Sequence, residues 1–248
     1  MSALEITVLG SSGSYASPTN GCTGFLVRSA GADVVFDCGP GTLGPLQAAC
    51  DLLEVSAVIL SHCHPDHWLE LPVLRNVFTW FVPRTDVPVF GTAETRRMDQ
   101  ALHVRVPGAP DPFRWTEIDS TSRVEIGDQR WTFDRTDHPV ETLAGRVDVA
   151  DRTVVFTSDS GPGWSYDHFA PDVDLVLCDA SHLSTFEHFG IPHMSARQAG
   201  AKARSAGARR LVVTHLVPGS DPSAHRDEAE AAYGGPVDVA LPGCVFAV

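Results

Sequence analysis

Positive charge is scarce in this sequence. Eighteen Lys and Arg stand against 31 Asp and Glu in 248 residues, a formal net charge of −13. Such a chain repels polyanions, whereas a protein that grips nucleic acid by its phosphates needs the opposite balance. The one local basic cluster, Lys202, Arg204, Arg209 and Arg210, lies at the end of a helical pattern, where cations offset the helix dipole. Nucleic acid is therefore disfavoured as a partner. Long apolar runs are also lacking. No stretch approaches the ~20 residues that span a bilayer, and no basic-then-apolar leader precedes the first strand pattern, so neither a membrane span nor a signal peptide is expected. Six cysteines are present, Cys22, Cys38, Cys50, Cys63, Cys178 and Cys244, but no two form a CxxC pair. Several sit in apolar runs, where a free thiol packs as a small hydrophobe. That points to a reducing compartment, the cytoplasm, and away from a disulfide scaffold. No linker rich in Pro, Gly or charge interrupts the chain and no short-period repeat is evident, so residues 1–248 read as one domain. Hydrophobic residues make up 43% and charged residues 20%, enough to bury a sizeable core.

Period-two and short apolar runs mark strands at 4–9, 25–28, 33–37, 55–60, 87–90, 124–126, 130–135, 143–147, 153–157, 175–178, 211–214 and 237–241. Helical spacing appears over 43–53, 68–81 with Pro72 in its first turn, 93–102, 195–206 and 222–233. Ser195 is a suitable N-cap for the fourth of these and Gly207 a suitable stop. Residues 107–112 read as a loop. The Gly/Ser segment 10–20 lacks the Lys and the spacing of a nucleotide-binding P-loop. Each half places strands first, with helices at intervals. A four-layer αββα sandwich fits this order, as do other α/β layouts.

The chemistry concentrates directly after the apolar strand 55–60, in Ser61-His62-Cys63-His64-Pro65-Asp66-His67. Three His and one Asp within six residues suit a divalent metal such as zinc. One turn cannot supply a full coordination shell. Three more ligand-type residues follow apolar strands: His138 after 130–135, Asp159 after 153–157 and His215 after 211–214. Open α/β sheets place their sites at such strand ends.

The run His62 to His67, followed in order by His138, Asp159 and His215, resembles the metallo-β-lactamase fold hydrolases. The segment 35–41, Val-Phe-Asp-Cys-Gly-Pro-Gly, resembles the Asp-x-Gly loop of that family. The resemblance covers essentially the whole chain, and it implies the αββα fold. It also implies two Zn²⁺ ions, with Mn²⁺ or a mixed pair as alternatives: one held by His62, His64 and His138, the second by Asp66, His67 and His215, with Asp159 between them. Asp37 would support the site from behind, and Cys63 would point away from the metals. Asp179-Ala-Ser-His, then His193-Met-Ser-Ala, then the strand 211–214 and His215, is similar to ribonuclease Z and related small phosphodiesterases. In that branch a His before the Ser/Thr-Ala helix assists departure of the leaving group, and His193 matches it. The chain departs from ribonuclease Z in having no Gly-rich basic arm between residues 68 and 137.

The expected activity is hydrolysis of a small phosphodiester, such as a cyclic nucleotide, by a metal-bridging hydroxide that Asp66 orients and His193 complements as proton donor. A carboxylic ester, lactone or thioester hydrolase would use the same ligands, and a tRNA 3′-processing nuclease or a metal-stabilised binding protein are further alternatives. The remaining histidines, His103, His168, His182, His188 and His225, read as surface or capping residues, and Trp68, Phe78, Trp80 and Phe81 as core. The apolar surface of the 68–81 helix suggests a homodimer.

Overall fold

A computed structural model describes residues 4–104, 108, 110–171 and 173–248. Its strands form two seven-stranded sheets. The first contains β1 (Glu5–Gly10), β2 (Gly24–Arg28), β3 (Asp33–Cys38), β4 (Val55–Leu60), β5 (Val87–Gly91), β6 (Phe113–Glu117) and the late strand β14 (Val245–Ala247), in the order β14-β1-β2-β3-β4-β5-β6. The second contains β7 (Arg123–Ile126), β8 (Gln129–Arg135), β9 (Leu143–Val149), β10 (Arg152–Phe156), β11 (Leu175–Asp179), β12 (Leu211–Thr214) and β13 (Val237–Val239), in the order β13-β12-β11-β10-β9-β8-β7. Each sheet begins as an antiparallel meander and turns parallel: at the β3–β4 pair in the first and the β10–β11 pair in the second. Parallel strands are buried on both faces and so carry continuous apolar runs rather than alternation. Accordingly all five residues of β11, Leu-Val-Leu-Cys-Asp, are buried.

Three hydrophobic layers separate four layers of structure. Between the sheets, Phe36 of β3 stacks on Trp131 of β8 at 5.5 Å and on Phe156 of β10 at 4.6 Å, and Phe25 of β2 meets Phe156 at 5.4 Å. Outside the first sheet, Leu46 of α1 (Leu43–Ala49) and Leu71, Leu74 and Phe78 of α3 (Leu71–Trp80) cover Val35, Val58 and Val87. Outside the second sheet, Ala196, Ala199 and Ala203 of α5 (Ala196–Ser205) and Ala229 of α6 (Pro222–Tyr233) cover Val155, Val176 and Val213. This is the αββα sandwich, and the C-terminal ends of the central strands open onto a common edge. No helix among the described residues is long and apolar enough to cross a membrane.

Several expectations are corrected. The helix expected over 68–81 is two helices, α2 (Pro65–Trp68) and α3. The break is pinned at Glu70, whose N–H donates to Cys38 O at 2.9 Å and whose carboxylate accepts from Gly41 N at 2.6 Å. Trp68 and Phe78 are core, but Trp80 and Phe81 are 56% and 79% exposed because they lie beyond the last buried turn of α3. Strands β6 and β14 were missed: both are edge strands, where half of the apolar signal is absent. Of the basic cluster, Lys202 and Arg204 lie in the last turn of α5, while Arg209 and Arg210 instead pair with Asp174 and Asp238. Of the expected loop 107–112, Pro107 and Ala109 lie outside the described residues.

Candidate metal centre

The turn after β4 sets the first four candidate ligands. β4 ends at Leu60, and the chain stays extended through His64 (φ −68°, ψ 138°) before Pro65 opens α2. A fixed proline φ suits the first helical turn, and α2 brings Asp66 and His67 onto the same edge as His62. The other candidates follow strand ends of the second sheet: His138 after β8, Asp159 after β10 and His215 after β12. Asp37, Ser158 and His215 have φ of 59°, 50° and 62°. Such left-handed non-glycine residues cost conformational energy and cluster at functional sites.

Three overlapping groups of donor atoms result, one of them Asp159, Asp179, His193 and His215. In the other two, His62, His64, His138 and Asp159 offer atoms all within 4.8 Å of one another, and so do Asp66, His67 and His215. Asp159 joins these two. Its Oδ2 lies 3.4 Å from His62 Nε2 and 3.6 Å from His138 Nε2, and its Oδ1 lies 3.1 Å from His67 Nε2 and 3.2 Å from His215 Nε2. Asp66 Oδ2 is 3.3 Å from His215 Nε2, and His138 Nε2 is 3.0 Å from His64 Nδ1.

Hydrogen-bond accounting assigns the protons on four of these rings. Ser61 Oγ donates to Asp37 Oδ2 at 2.8 Å, so it accepts from His62 Nδ1 at 3.0 Å. His67 Nδ1 donates directly to Asp37 Oδ2 at 2.7 Å. His138 Nδ1 donates to Pro192 O, which can only accept, at 3.1 Å. Ser181 Oγ donates to Asp179 Oδ1 at 2.8 Å, so it accepts from His215 Nδ1 at 2.9 Å. Each Nδ1 thus carries a proton in the neutral ring, and each Nε2 turns a lone pair into the cluster. Partners of this kind fix the tautomer of metal-binding imidazoles. Converging lone pairs and carboxylate oxygens repel unless a cation lies among them. His62 Nε2 and Asp159 Oδ1 are fully buried without a hydrogen-bond partner, a costly state for polar atoms that metal coordination would relieve. With imidazole and carboxylate as donors, the residues fit divalent metal ions.

The electrostatics agree. Burial, reinforced by the His67 charge, lowers His62 to about 4, so it stays neutral despite Asp159. Burial pushes Asp159 the other way, but His215, His67 and His62 hold its carboxyl well below the usual range. Burial opposes charge on His67 as well, and Asp159 and Asp37 more than offset it, raising its value. Protons and metal ions therefore compete for the same lone pairs.

Beside the cluster, His193 Nδ1 is bound to Asp179 Oδ2 at 2.8 Å. Its ring stacks on His215 at 5.1 Å and meets the His138 edge at 5.0 Å. Burial disfavours charge there, yet the Asp179 carboxylate wins and raises His193 to about 9. Asp179 also accepts from Ser160 N and Ser181 N, each at 3.1 Å. In the sequence Asp179 stands out only as part of the Asp179-Ala-Ser-His segment, with no role of its own. Its signal was available, because it closes the buried strand β11 as the other candidates follow theirs.

All eight site residues singled out from sequence meet at this edge. The Gly/Ser segment 10–20 unexpectedly borders it: Ser14 N donates to Asp66 Oδ2 at 2.8 Å. A Cβ on Gly13 would lie 2.5 Å from His215 O and 2.9 Å from His215 Nδ1, so only glycine fits against that ring. Asp37 takes its supporting place, and Cys63 is buried outside all three donor groups. Two of the histidines expected as surface or capping residues are buried: His225, whose Nδ1 donates to Ala180 O at 2.8 Å, and His182.

A model described as the beta-lactamase superfamily domain matches residues 32–216. An uncharacterised Mycobacterium tuberculosis protein is 31% identical over 246 residues, 95% of this chain and 89% of that one. Bacillus subtilis YhfI, named a probable metallo-hydrolase, is 27% identical over 252 residues, 98% and 99% of the two chains. The crystal structure of YhfI, described as a metallo-β-lactamase fold protein, superposes with a TM-score of 0.88 at 26% identity over 100% of both chains. The ribonuclease Z of Myxococcus xanthus is 25% identical over 298 residues, 98% and 97% of the two chains. With the αββα fold and a His/Asp cluster suited to metal ions at its strand ends, the chain belongs to the beta-lactamase superfamily, as a metallo-hydrolase of that fold.

Proposed function

We propose that the chain is a two-metal phosphodiesterase acting on a small phosphodiester such as a cyclic nucleotide. His62, His64 and His138 would hold one metal ion, Asp66, His67 and His215 the second, and Asp159 would bridge them, with zinc the metal that this donor set suits. Residues 1–248 are taken as one domain. Bound there, the metals would supply a nucleophile at neutral pH and offset charge on the phosphoryl oxygens.

The observation that carries the reading is the Asp179–His193 pair packed against the metal cluster. Hydrolysis of a phosphodiester breaks a P–O bond and expels an alkoxide, which needs a proton. His193 keeps Nδ1 on Asp179 and has Nε2 on the opposite edge of the ring, free to donate. Asp179 fixes the ring and favours its charged form. Asp66, anchored by Ser14 N, orients the attacking group as well as binding metal. The net charge of −13 favours a small substrate over tRNA. A carboxylic ester or lactone would meet the same ligands and also expel an alkoxide. What favours the phosphodiester over them is the likeness of the Asp179 and His193 segments to ribonuclease Z, to which the chain is 25% identical. A thioester expels a thiolate that needs no proton.

The test is hydrolysis of bis(p-nitrophenyl) phosphate and 3′,5′-cyclic AMP by the zinc-loaded protein beside His64→Ala. Turnover that the substitution abolishes is the expected result. Absent turnover with two metals bound would move lactones and thioesters to the front.

A further inference from the structure

We propose that Phe186 and Phe189 form a stacking platform for a nucleobase and thereby select the organic group of the phosphodiester. The proposal rests on the phosphodiesterase reading above and adds a base-binding subsite to it.

The platform belongs to the loop between β11 and α5. The loop is closed at its neck by the His182–Ser195 bridge and by Ala196 N donating to His182 O at 2.9 Å. Its tip is a 3₁₀ turn, Ser184–Phe189. There the rings of Phe186 and Phe189 lie 6.2 Å apart at 28°, and His188 packs on Phe189 at 4.0 Å. Phe186 is 47% exposed and Phe189 65%.

The turn is fastened so that these rings cannot fold back onto the core. Ser184 N and Oγ both donate to Glu228 at 2.8 Å. Glu187 accepts from Ser195 Oγ and Arg197 Nη2, each at 2.5 Å, which also offsets its charge beside the rings. Two apolar faces held out in water are a cost that a ligand would recover.

The position suits a nucleotide. Phe189 precedes His193 by four positions, a span of at most about 14 Å. The intervening Pro192 O is tied to His138 Nδ1 at 3.1 Å. The rings thus sit on the loop that leads into His193, within that reach of the metal cluster, so the organic part of a substrate held at the cluster could extend to them. Phenyl faces stack on any base without reading its sequence. Two rings cover far less than the ~800 Å² per partner of a stable protein interface, and the acidic chain disfavours a long polyanion, so a single nucleotide is the occupant.

The test compares equilibrium binding of adenosine 5′-monophosphate and ribose 5-phosphate to the zinc-loaded protein, to Phe189→Ala and to Phe189→Leu. The wild type should favour the base-bearing ligand by about tenfold. Both variants should lose that preference while their ribose 5-phosphate affinity is unchanged. In turnover, KM for thymidine 5′-(p-nitrophenyl phosphate) should rise about tenfold and that for methyl p-nitrophenyl phosphate should stay constant. Equal affinity of the wild type for the two ligands, or a preference that survives both substitutions, would overturn the platform. A changed sedimentation coefficient in Phe189→Ala with base preference intact would also overturn it, assigning the rings to self-association. A Phe189-dependent base preference without turnover of either ester would support the platform and sink the phosphodiesterase reading alone.

Discussion

His62, His67, His138 and His215 each divide their two nitrogens between protein and site. Nδ1 is given to an oxygen of the fold, and Nε2 is left for the cluster. The same division applies to His193, whose Nδ1 is taken by Asp179. If its proton serves the leaving group, His193→Ala should lower kcat roughly a hundredfold or more while metal content stays at the wild-type level. The sign with pH follows from a value raised from 6.5 to about 9. The proton is present below about 9, so the rate should fall as pH rises through that value, and a pH–rate profile of His193→Ala should lack this limb. The pair's contribution to stability is likewise complete below 6.5 and lost as pH passes about 9. Gly13 offers a second residue-scale prediction. A methyl group there collides with His215, so Gly13→Ala should reduce the amount of bound metal, measured by elemental analysis of the dialysed protein.

Among elements, α5 carries the most consequence for the site, because its N-terminus follows His193 by two residues. Ser195 caps it within a capping box: its side chain accepts from Gln198 N while Gln198 returns a bond to Ser195 N. Ser195 also donates to Glu187 at the foot of the aromatic turn. Ser195→Ala should cost about 1 kcal/mol in urea unfolding, the usual size of a lost cap. At the other face of α5, a Cβ on Gly200 would come 2.3 Å from Ala229 O of α6. Gly200→Ala should wedge the two helices apart and destabilise by about 1–3 kcal/mol, against the small gain that alanine gives an unconstrained helix. The element-level reading from sequence was good wherever both faces of a strand are buried, as in β4 and β11, since continuous apolar runs need no partner to be recognised. It failed at β6 and β14, whose apolar faces are incomplete, and at residues 68–81, where a contact from Glu70 to the β3 loop breaks a periodic pattern.

For the whole molecule, metal and fold are linked. The donor groups draw on both sheets: His62, His64, Asp66 and His67 follow strands of the first, and His138, Asp159 and His215 strands of the second. A bound cation therefore clamps the two halves together. Removal by chelator should lower the melting temperature, and at a metal concentration 100-fold above Kd the stabilisation regained should be about 2.7 kcal/mol. His64→Ala should lose most of this metal-dependent part. Because protons compete for the ligands, the metal-dependent shift should shrink as pH falls.

The seven candidate metal ligands were legible in the sequence because metal chemistry admits few side chains, and these stand at a tight spacing or just past apolar strands, whereas His193 came only with the resemblance to ribonuclease Z. Most strands were legible because burial leaves a hydrophobic period, but that period fits several α/β layouts, and the two-sheet plan came with the family resemblance. Tertiary structure alone decided the rest. Ser61, Ser181 and the Pro192 carbonyl are ordinary until the fold sets them against imidazole Nδ1 atoms, as is Asp179 until it meets His193. The exposure of Phe186 and Phe189 could not be read from their apolar character, since a phenyl ring in a sequence is expected in the core. What holds them outside is a set of bonds from Ser184 and Glu187 to residues of α5, its cap and α6, and those depend on distance in space, which the order of residues does not state.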